Sequence, residues 1–217
     1  MTQNYAWNDL MWTEMGDLGA FLHELPDEEF NRPSLCDGWE VRDVVGHMLL
    51  GHTTPMPEML AMLARYRFNV TRGSFEKSRD YAHSLTPPEL RAEWDDLVAN
   101  RTKRGISRVI RPIEGYVDHT VHQQDIRRAV DRPRVIADDR LVAALDAAVT
   151  LSSPMFSPKK KVKDLRLEAT DIAWAHGTGP LVRGSGEAIL MAASGRSSVL
   201  AELDGDGVAT LAERVKA

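Results

Sequence analysis

The sequence predicts a mainly α-helical protein in which a four-helix bundle is followed by a small α/β unit. Up to about residue 151, apolar residues recur at three- and four-residue spacing in long segments, which is the helical period. From about residue 164 the pattern changes to short alternating runs and glycine-bounded segments, which is typical of strands and short helices. We therefore expect a helical domain at residues 1–152 and an α/β domain at residues 153–217.

Four long amphipathic helices with intervening loops predict a bundle in the first domain. They are expected at about residues 8–24, 41–52, 86–100 and 111–131. The third has the clearest start, because Thr86 precedes two prolines and Glu89 follows it by three residues, the capping-box pattern. A shorter helix is expected at 58–68, and residues 71–85, which have little periodicity, are predicted to be a loop.

A further helix is expected to begin at a cap formed by Asp138 or Asp139, ahead of a Pro-, Ser- and Lys-rich linker. Beyond the linker, Leu165 and Leu167 alternate with charged residues, which predicts a strand. A partner strand is expected at 172–177, and glycine-bounded helices are expected at 185–195 and 204–215. These elements define the α/β unit.

Composition limits the possible partners. The net charge of −5 argues against a nucleic-acid surface, which is usually strongly basic. Cys36 is the sole cysteine, so no disulfide can form within the chain, as expected in a reducing compartment. No signal peptide or membrane-spanning run is apparent. We expect a cytoplasmic protein, a monomer or a homodimer, with neither nucleic acid nor membrane as partner.

One helix carries residues that suit a metal ion. Asp118 and His122 are four residues apart, so their side chains stack on one helical face and can hold a single divalent cation. Asp125 extends the same stripe and can orient the His122 ring by a hydrogen bond. A catalytic site of the zinc type needs a third ligand and an open position. His47, on another helix of the bundle, is the best candidate for that ligand.

Other ligand choices remain open on spacing alone. His119 lies three residues before His122, and Glu114 offers another carboxylate one turn earlier on the same helix. His52 follows His47 by five residues, about 140° around the helix, so the two cannot face one interior point. An Asp and a His four residues apart are also typical of an ordinary surface ion pair.

Three segments in order resemble one known family. "LCDGWEVRDVVGHML" is similar to the first helix signature of the DinB-like, mycothiol-dependent maleylpyruvate isomerase family. "VDHTVHQQDIRRAV" is similar to its second signature, in which an acidic residue and a histidine are four apart. The tail from "LRLEATDIAWAHGTGP" onward resembles the C-terminal domain of many members. Together the three matches cover nearly the whole chain.

The resemblance implies a DinB-like four-helix bundle that holds a divalent metal, usually zinc. Carried onto this chain, the ligand positions are His47, Asp118 and His122. The family pattern has Glu where this chain has Asp118, and because Asp is one methylene shorter, the ion is expected closer to that helix. The resemblance also implies mycothiol as a co-substrate, bound to the metal as a thiolate.

The expected activity is therefore isomerisation or S-transfer on a small electrophilic substrate, with a metal-bound thiol or water as the reacting group. Arg127 and Arg128 are candidates to bind a carboxylate of thiol or substrate, although adjacent helical residues point about 100° apart. Cys36 is not expected to be catalytic, and Trp39 is expected to be a packing anchor. The alternatives are a metal-binding or small-molecule-sequestering protein without turnover, and a structural or regulatory bundle whose site is vestigial.

Overall fold

The fold was analysed in a computed structural model, which describes residues 5–153 and 156–216. The predicted mainly helical fold with a small C-terminal sheet is confirmed. The helices are α1 (Trp7–Glu24), α2 (Val41–Thr53), α3 (Met56–Arg65), α4 (Val70–His83), α5 (Pro87–Asn100), α6 (Pro112–Ala129), α7 (Asp138–Ala148), α8 (Pro158–Lys161), α9 (Gly186–Ala193) and α10 (Val208–Lys216). The strands are β1 (Arg166–Ala169), β2 (Ala175–His176) and β3 (Leu181–Gly184). Within these described residues, no helix is both long and apolar enough to cross a bilayer.

Residues Trp7–Pro133 form one compact unit, in which α1, α2, α5 and α6 make the four-helix bundle. Helix α1 packs along α6, and α5 packs against both α1 and α2. The core between them holds fully buried side chains such as Met15, Leu22 and Trp94. The indole N–H of Trp94 donates to the backbone carbonyl of Met15 at 2.9 Å, so even the polar atom of this large side chain is satisfied.

Two predicted helix starts can be compared directly with the structure. The capping box of α5 is confirmed, because the backbone N–H of Thr86 donates to Glu89 Oε2 at 2.7 Å. Helix α7 begins differently from the prediction, since Ala137 is its N-cap and makes no side-chain cap. Asp138 and Asp139 lie instead in the first turn, where carboxylates favour the positive end of the helix dipole.

The prediction of a loop at residues 71–85 was wrong, because α4 occupies most of this segment. Its N-cap is Asn69, whose side chain accepts from the Arg72 N–H at 2.9 Å. The buried face of α4 consists of Gly73, Ser78 and Ala82 rather than large apolar residues. Ser78 and Ala82 let α4 pack closely on α2 at Gly46, whereas Gly73 lies against Met62 and Tyr66. Such small side chains leave no apolar stripe in the sequence.

The second compact unit comprises Tyr5, Ala6 and the chain from Arg134 onward. Its sheet has the strand order β2-β1-β3, in which β1 pairs antiparallel with β2 and parallel with β3. Helix α9 packs on the sheet and on α7. Packing thus groups α7 with the C-terminal residues, whereas the predicted division at residues 152/153 placed it with the bundle. That domain boundary stays a prediction.

Two glycines of α2 form a matched pair for testing the contact between α2 and α4. A Cβ at Gly46 would lie 2.9 Å from the Ala82 Cβ and 3.0 Å from the Ser78 carbonyl oxygen, whereas a Cβ at Gly51 would meet nothing within 4 Å. We expect Gly46→Ala to lower the free energy of unfolding by about 1–3 kcal/mol because it overpacks this contact. Gly51→Ala should raise it by about 0.5–1 kcal/mol through helix propensity. Urea unfolding of both variants measures this, and a Gly46→Ala protein as stable as the wild type would contradict the packing.

Candidate metal centre

The structure brings the three predicted ligands together. His47 lies on α2 and Asp118 and His122 lie on α6, and one donor atom of each is within 4.8 Å of the others. The Nε2 atom of His122 is 3.5 Å from Asp118 Oδ1, as their one-turn spacing requires. The His47 ring meets the His122 ring edge-on, with centroids 5.1 Å apart. Two imidazoles and one carboxylate are a common donor set for zinc, and metal binding by them stays a prediction.

Asp125 contacts the other nitrogen of the His122 ring. The Nδ1–H of His122 donates to Asp125 Oδ2 at 3.1 Å, and the carboxylate is completely buried. The thiol of Cys36 donates to the same oxygen, also at 3.1 Å. A carboxylate that accepts from one imidazole nitrogen leaves the other nitrogen aimed at the opposite side of the ring. This geometry is the one expected if Asp125 orients the His122 ring.

Helix α4 and the turn before α2 supply the surroundings of His47. The Oγ of Ser74 lies 3.2 Å from His47 Nδ1. The Trp39 ring packs against His47 with centroids 5.0 Å apart, and Phe75 stacks on the far side of Trp39 at 5.8 Å. Trp39 therefore packs, as predicted, but it packs against a candidate ligand, and its ring also lies 6.4 Å from that of His122. One wall of the site is aromatic.

The charge of His122 follows from its two carboxylate neighbours. Burial opposes protonation, yet the negative charge of Asp118 and the hydrogen bonds to Asp125 and Cys36 raise its pKa to about 10. The two carboxylates therefore favour the protonated form of the His122 ring in the metal-free protein. The Asp118 side chain is 40% exposed, whereas Asp125 is sealed from solvent. A ligand or ion thus reaches the ring from the Asp118 side.

The other histidines of the bundle pair with each other. His52 and His119 are buried, and their Nε2 atoms lie 2.8 Å apart. Burial, followed by the charge of Lys103, lowers the pKa of His52 to about 4. Burial, and secondarily the electrostatic effect of His52, lowers the pKa of His119 to about 3. Both rings are neutral at pH 7, and His52 faces His119 rather than His47, in agreement with the helical angle.

The remaining candidates on α6 make other contacts. Glu114 accepts from Arg111 at 2.7 Å in an ion pair three residues apart. The guanidinium of Arg127 lies over the Phe21 ring, 3.9 Å from its centroid, about 140° around the helix from His122. Arg128 is half-buried. The predicted contacts of Arg127 and Arg128 with thiol or substrate stay predictions.

Two further groups of side chains in the described part of the chain have metal-binding spacing. They are Cys36 with His122 and Asp125, and Glu40 with Asp43 and His83. The second group has a simpler explanation, because Glu40 and Asp43 form the capping box of α2 and His83 pairs with Asp43 at 3.3 Å. The first group shares His122 with the predicted ligands.

Comparisons with known proteins show which family the N-terminal part of the chain resembles. Residues 11–105 match the family described as "Mycothiol maleylpyruvate isomerase N-terminal domain". The resemblance seen in the sequence is confirmed. A search of curated proteins finds no significant match.

Two solved structures have the same fold as the chain. One is the mycothiol-dependent maleylpyruvate isomerase, with a TM-score of 0.57 and 16% identity. The other is a histidine-to-alanine mutant form of the mycothiol-dependent maleylpyruvate isomerase, with a TM-score of 0.59 and 15% identity. Each alignment covers 92% of this chain and 91% of the other. The alignments thus include residues of both compact units, whereas the match to the family model ends at residue 105, before α6.

Some residues around the ligands were not anticipated from the sequence. Ser74 and Phe75 were assigned to a loop, and Cys36 was not placed beside His122. Two signals could have revealed a closely packed helix here. They are the N-cap residue Asn69 and the small residues of α4 that lie opposite Gly46. No local signal links Cys36 to Asp125, because 89 residues separate them.

The buried pair of histidines gives a testable pH dependence. The pKa of His52 is lowered in the folded state, so at acidic pH the unfolded chain binds a proton at this ring more readily than the folded protein does. Acid therefore favours unfolding. Its contribution to stability is complete above about pH 6.5 and is lost as the pH falls toward 4. At pH 5 the loss from His52 is about 2 kcal/mol. We expect His52→Gln to remove this contribution from the decrease in the free energy of unfolding between pH 8 and pH 5.

Urea unfolding of metal-free protein at the two pH values measures the effect. His23→Gln is the matched control, because His23 is half-exposed in a surface pair with Asp95. An equal loss of stability in the wild type and in His52→Gln would show that His52 does not titrate in this way.

Proposed function

We propose that this protein is a metal- and thiol-dependent enzyme, which binds a divalent cation, most simply Zn²⁺, through His47, Asp118 and His122. The observation that carries the proposal is the convergence of these three donors from two helices, on the solvent-open side of a buried imidazole. The residues fit a catalytic ion, because three protein ligands leave one tetrahedral position open.

The hydrogen bonds indicate which ring nitrogen each histidine uses. Nδ1 of His122 donates to Asp125, so Nε2 is its ligand atom, and an ion would replace the Nε2 proton. Nδ1 of His47 lies 3.2 Å from Ser74 Oγ, so we assign Nε2 as the ligand atom there as well. Asp125 and Ser74 thus hold the two rings in the orientation that ligation requires.

A divalent ion in this position supplies a thiolate at neutral pH, because it lowers the pKa of a bound thiol, and thiolates add reversibly to activated alkenes. The surrounding residues bind and orient the reactants. Trp39 and Phe75 form an apolar wall against which a small substrate can pack. Half-exposed Asp118 marks the side from which thiol and substrate enter. The chain need not provide a nucleophile of its own.

The thiol is proposed to be mycothiol and the reaction a cis–trans isomerisation of a small electrophilic substrate. Support comes from the N-terminal domain, whose family is described as mycothiol maleylpyruvate isomerase, and from the fold shared with a mycothiol-dependent maleylpyruvate isomerase. S-transfer from the same thiolate is the alternative reaction, since it needs the same residues. We place the reaction in the cytoplasm, where thiols remain reduced.

Metal content tests the first part of the proposal. We expect purified wild-type protein to contain a stoichiometric divalent ion, and His47→Ala or His122→Ala to lower the affinity for Zn²⁺ by about tenfold or more, because each removes a ligand. His23→Ala, a histidine on α1 outside the site, should retain full metal content. Elemental analysis and zinc titration measure both. Full, tightly bound metal in His47→Ala would exclude these three residues as the ligand set.

Thiol dependence tests the second part. We expect the metal-loaded enzyme to convert maleylpyruvate to its trans isomer only when mycothiol is present, with at least about a tenfold lower rate in His47→Ala than in His23→Ala. The reaction can be followed by the absorbance of the substrate. Stoichiometric metal with no isomerisation or S-transfer for any thiol tested would leave a binding protein rather than an enzyme.

A further inference from the structure

A second cluster of donor atoms lies on the edge of the His122 ring that faces away from Asp118. Cys36 Sγ is 3.1 Å from Asp125 Oδ2 and 3.7 Å from His122 Nδ1. The Nδ1 and Oδ2 atoms are themselves 3.1 Å apart. Asp125 and His122 are buried, and Cys36 is half-buried.

The spacing of these atoms is close to that of three ligands around one tetrahedral ion. With Zn–S of ~2.3 Å and Zn–N and Zn–O of ~2.0–2.2 Å, the ligand atoms of such a site lie ~3.3–3.6 Å apart. Each side of the Cys36–His122–Asp125 triangle is within about 0.5 Å of these values. The same positions are held by hydrogen bonds in the metal-free protein, and an ion would displace the shared protons from sulfur and nitrogen.

The turn before α2 fixes the thiol in place. The backbone N–H of Cys36 donates to Ser34 Oγ at 3.1 Å, and that hydroxyl donates to the Trp39 carbonyl at 2.9 Å. The N–H of Leu35 donates to the backbone carbonyl of Asp125 at 3.4 Å, which ties the turn to α6. The sulfur is therefore positioned by backbone contacts next to the carboxylate, and little reorganisation would be needed to bind an ion.

We propose that Cys36, Asp125 and Nδ1 of His122 form a second cation site, which takes a thiophilic divalent ion such as Zn²⁺ or Cd²⁺. A thiolate ligand favours soft ions over Mg²⁺ and Ca²⁺, which prefer oxygen. The site does not depend on an ion at His47.

Cobalt binding tests this site without any activity assay. Metal-stripped, reduced protein is titrated with Co²⁺, because a thiolate ligand gives an intense sulfur-to-cobalt charge-transfer band that nitrogen and oxygen ligands do not give. We expect the band in the wild type and in His47→Ala, which leaves this cluster intact. Cys36→Ser should abolish it, while its hydroxyl can still donate to Asp125 and keep the fold. Added Cd²⁺ should displace the cobalt and remove the band.

The double variant supplies the affinity measurement. Cys36→Ser in the His47→Ala background should weaken Co²⁺ binding more than about tenfold relative to His47→Ala alone. A folded His47→Ala protein, verified by circular dichroism, that binds Co²⁺ without the charge-transfer band would overturn the proposal. So would equal cobalt affinity in the single and double variants. Both results are independent of His47 as a ligand, because the variants compared all carry His47→Ala.

Discussion

The buried carboxylate of Asp125 determines how the rest of the site is arranged. A charged group without exposure is costly to bury unless hydrogen bonds replace its hydration. Here the carboxylate accepts from His122 Nδ1 and from the Cys36 thiol, and its own backbone carbonyl accepts from the N–H of Leu35. One residue of α6 thereby fixes a ring on its own helix and a turn more than 80 residues earlier in the chain.

A second constraint acts through helix α4, which carries none of the candidate ligands. Its small residues allow it to approach α2 at Gly46, immediately before His47. That approach brings Ser74 to the His47 ring and Phe75 to Trp39. The orientation of His47 thus depends on a packing contact of backbone and methyl groups, and the aromatic wall beside it depends on the same contact.

The part of the site that a sequence can predict is the part determined within one helix. Asp118, His122 and Asp125 share a face because of helical periodicity alone, and the structure shows the same set in contact. The pairing of His47 with them is long-range. The need for a third ligand from another helix made His47 a candidate, and the family resemblance supported it. Helix α4 was missed because its buried face is small rather than apolar. Strand β3 was missed because it is short and owes its structure to parallel pairing with β1.

The two nitrogens of His122 lie in environments of opposite character, and this difference explains how one arrangement can serve two states. Nδ1 faces a sealed carboxylate, whereas Nε2 faces the half-exposed Asp118 and the His47 ring. Without an ion, protons on both nitrogens satisfy both carboxylates, which is why the pKa of the ring is raised to about 10. An ion that replaced the Nε2 proton would keep the Asp125 contact and the ring orientation unchanged. The hydrogen bond to Asp125 therefore orients the His122 ring both with a proton on Nε2 and with an ion in its place.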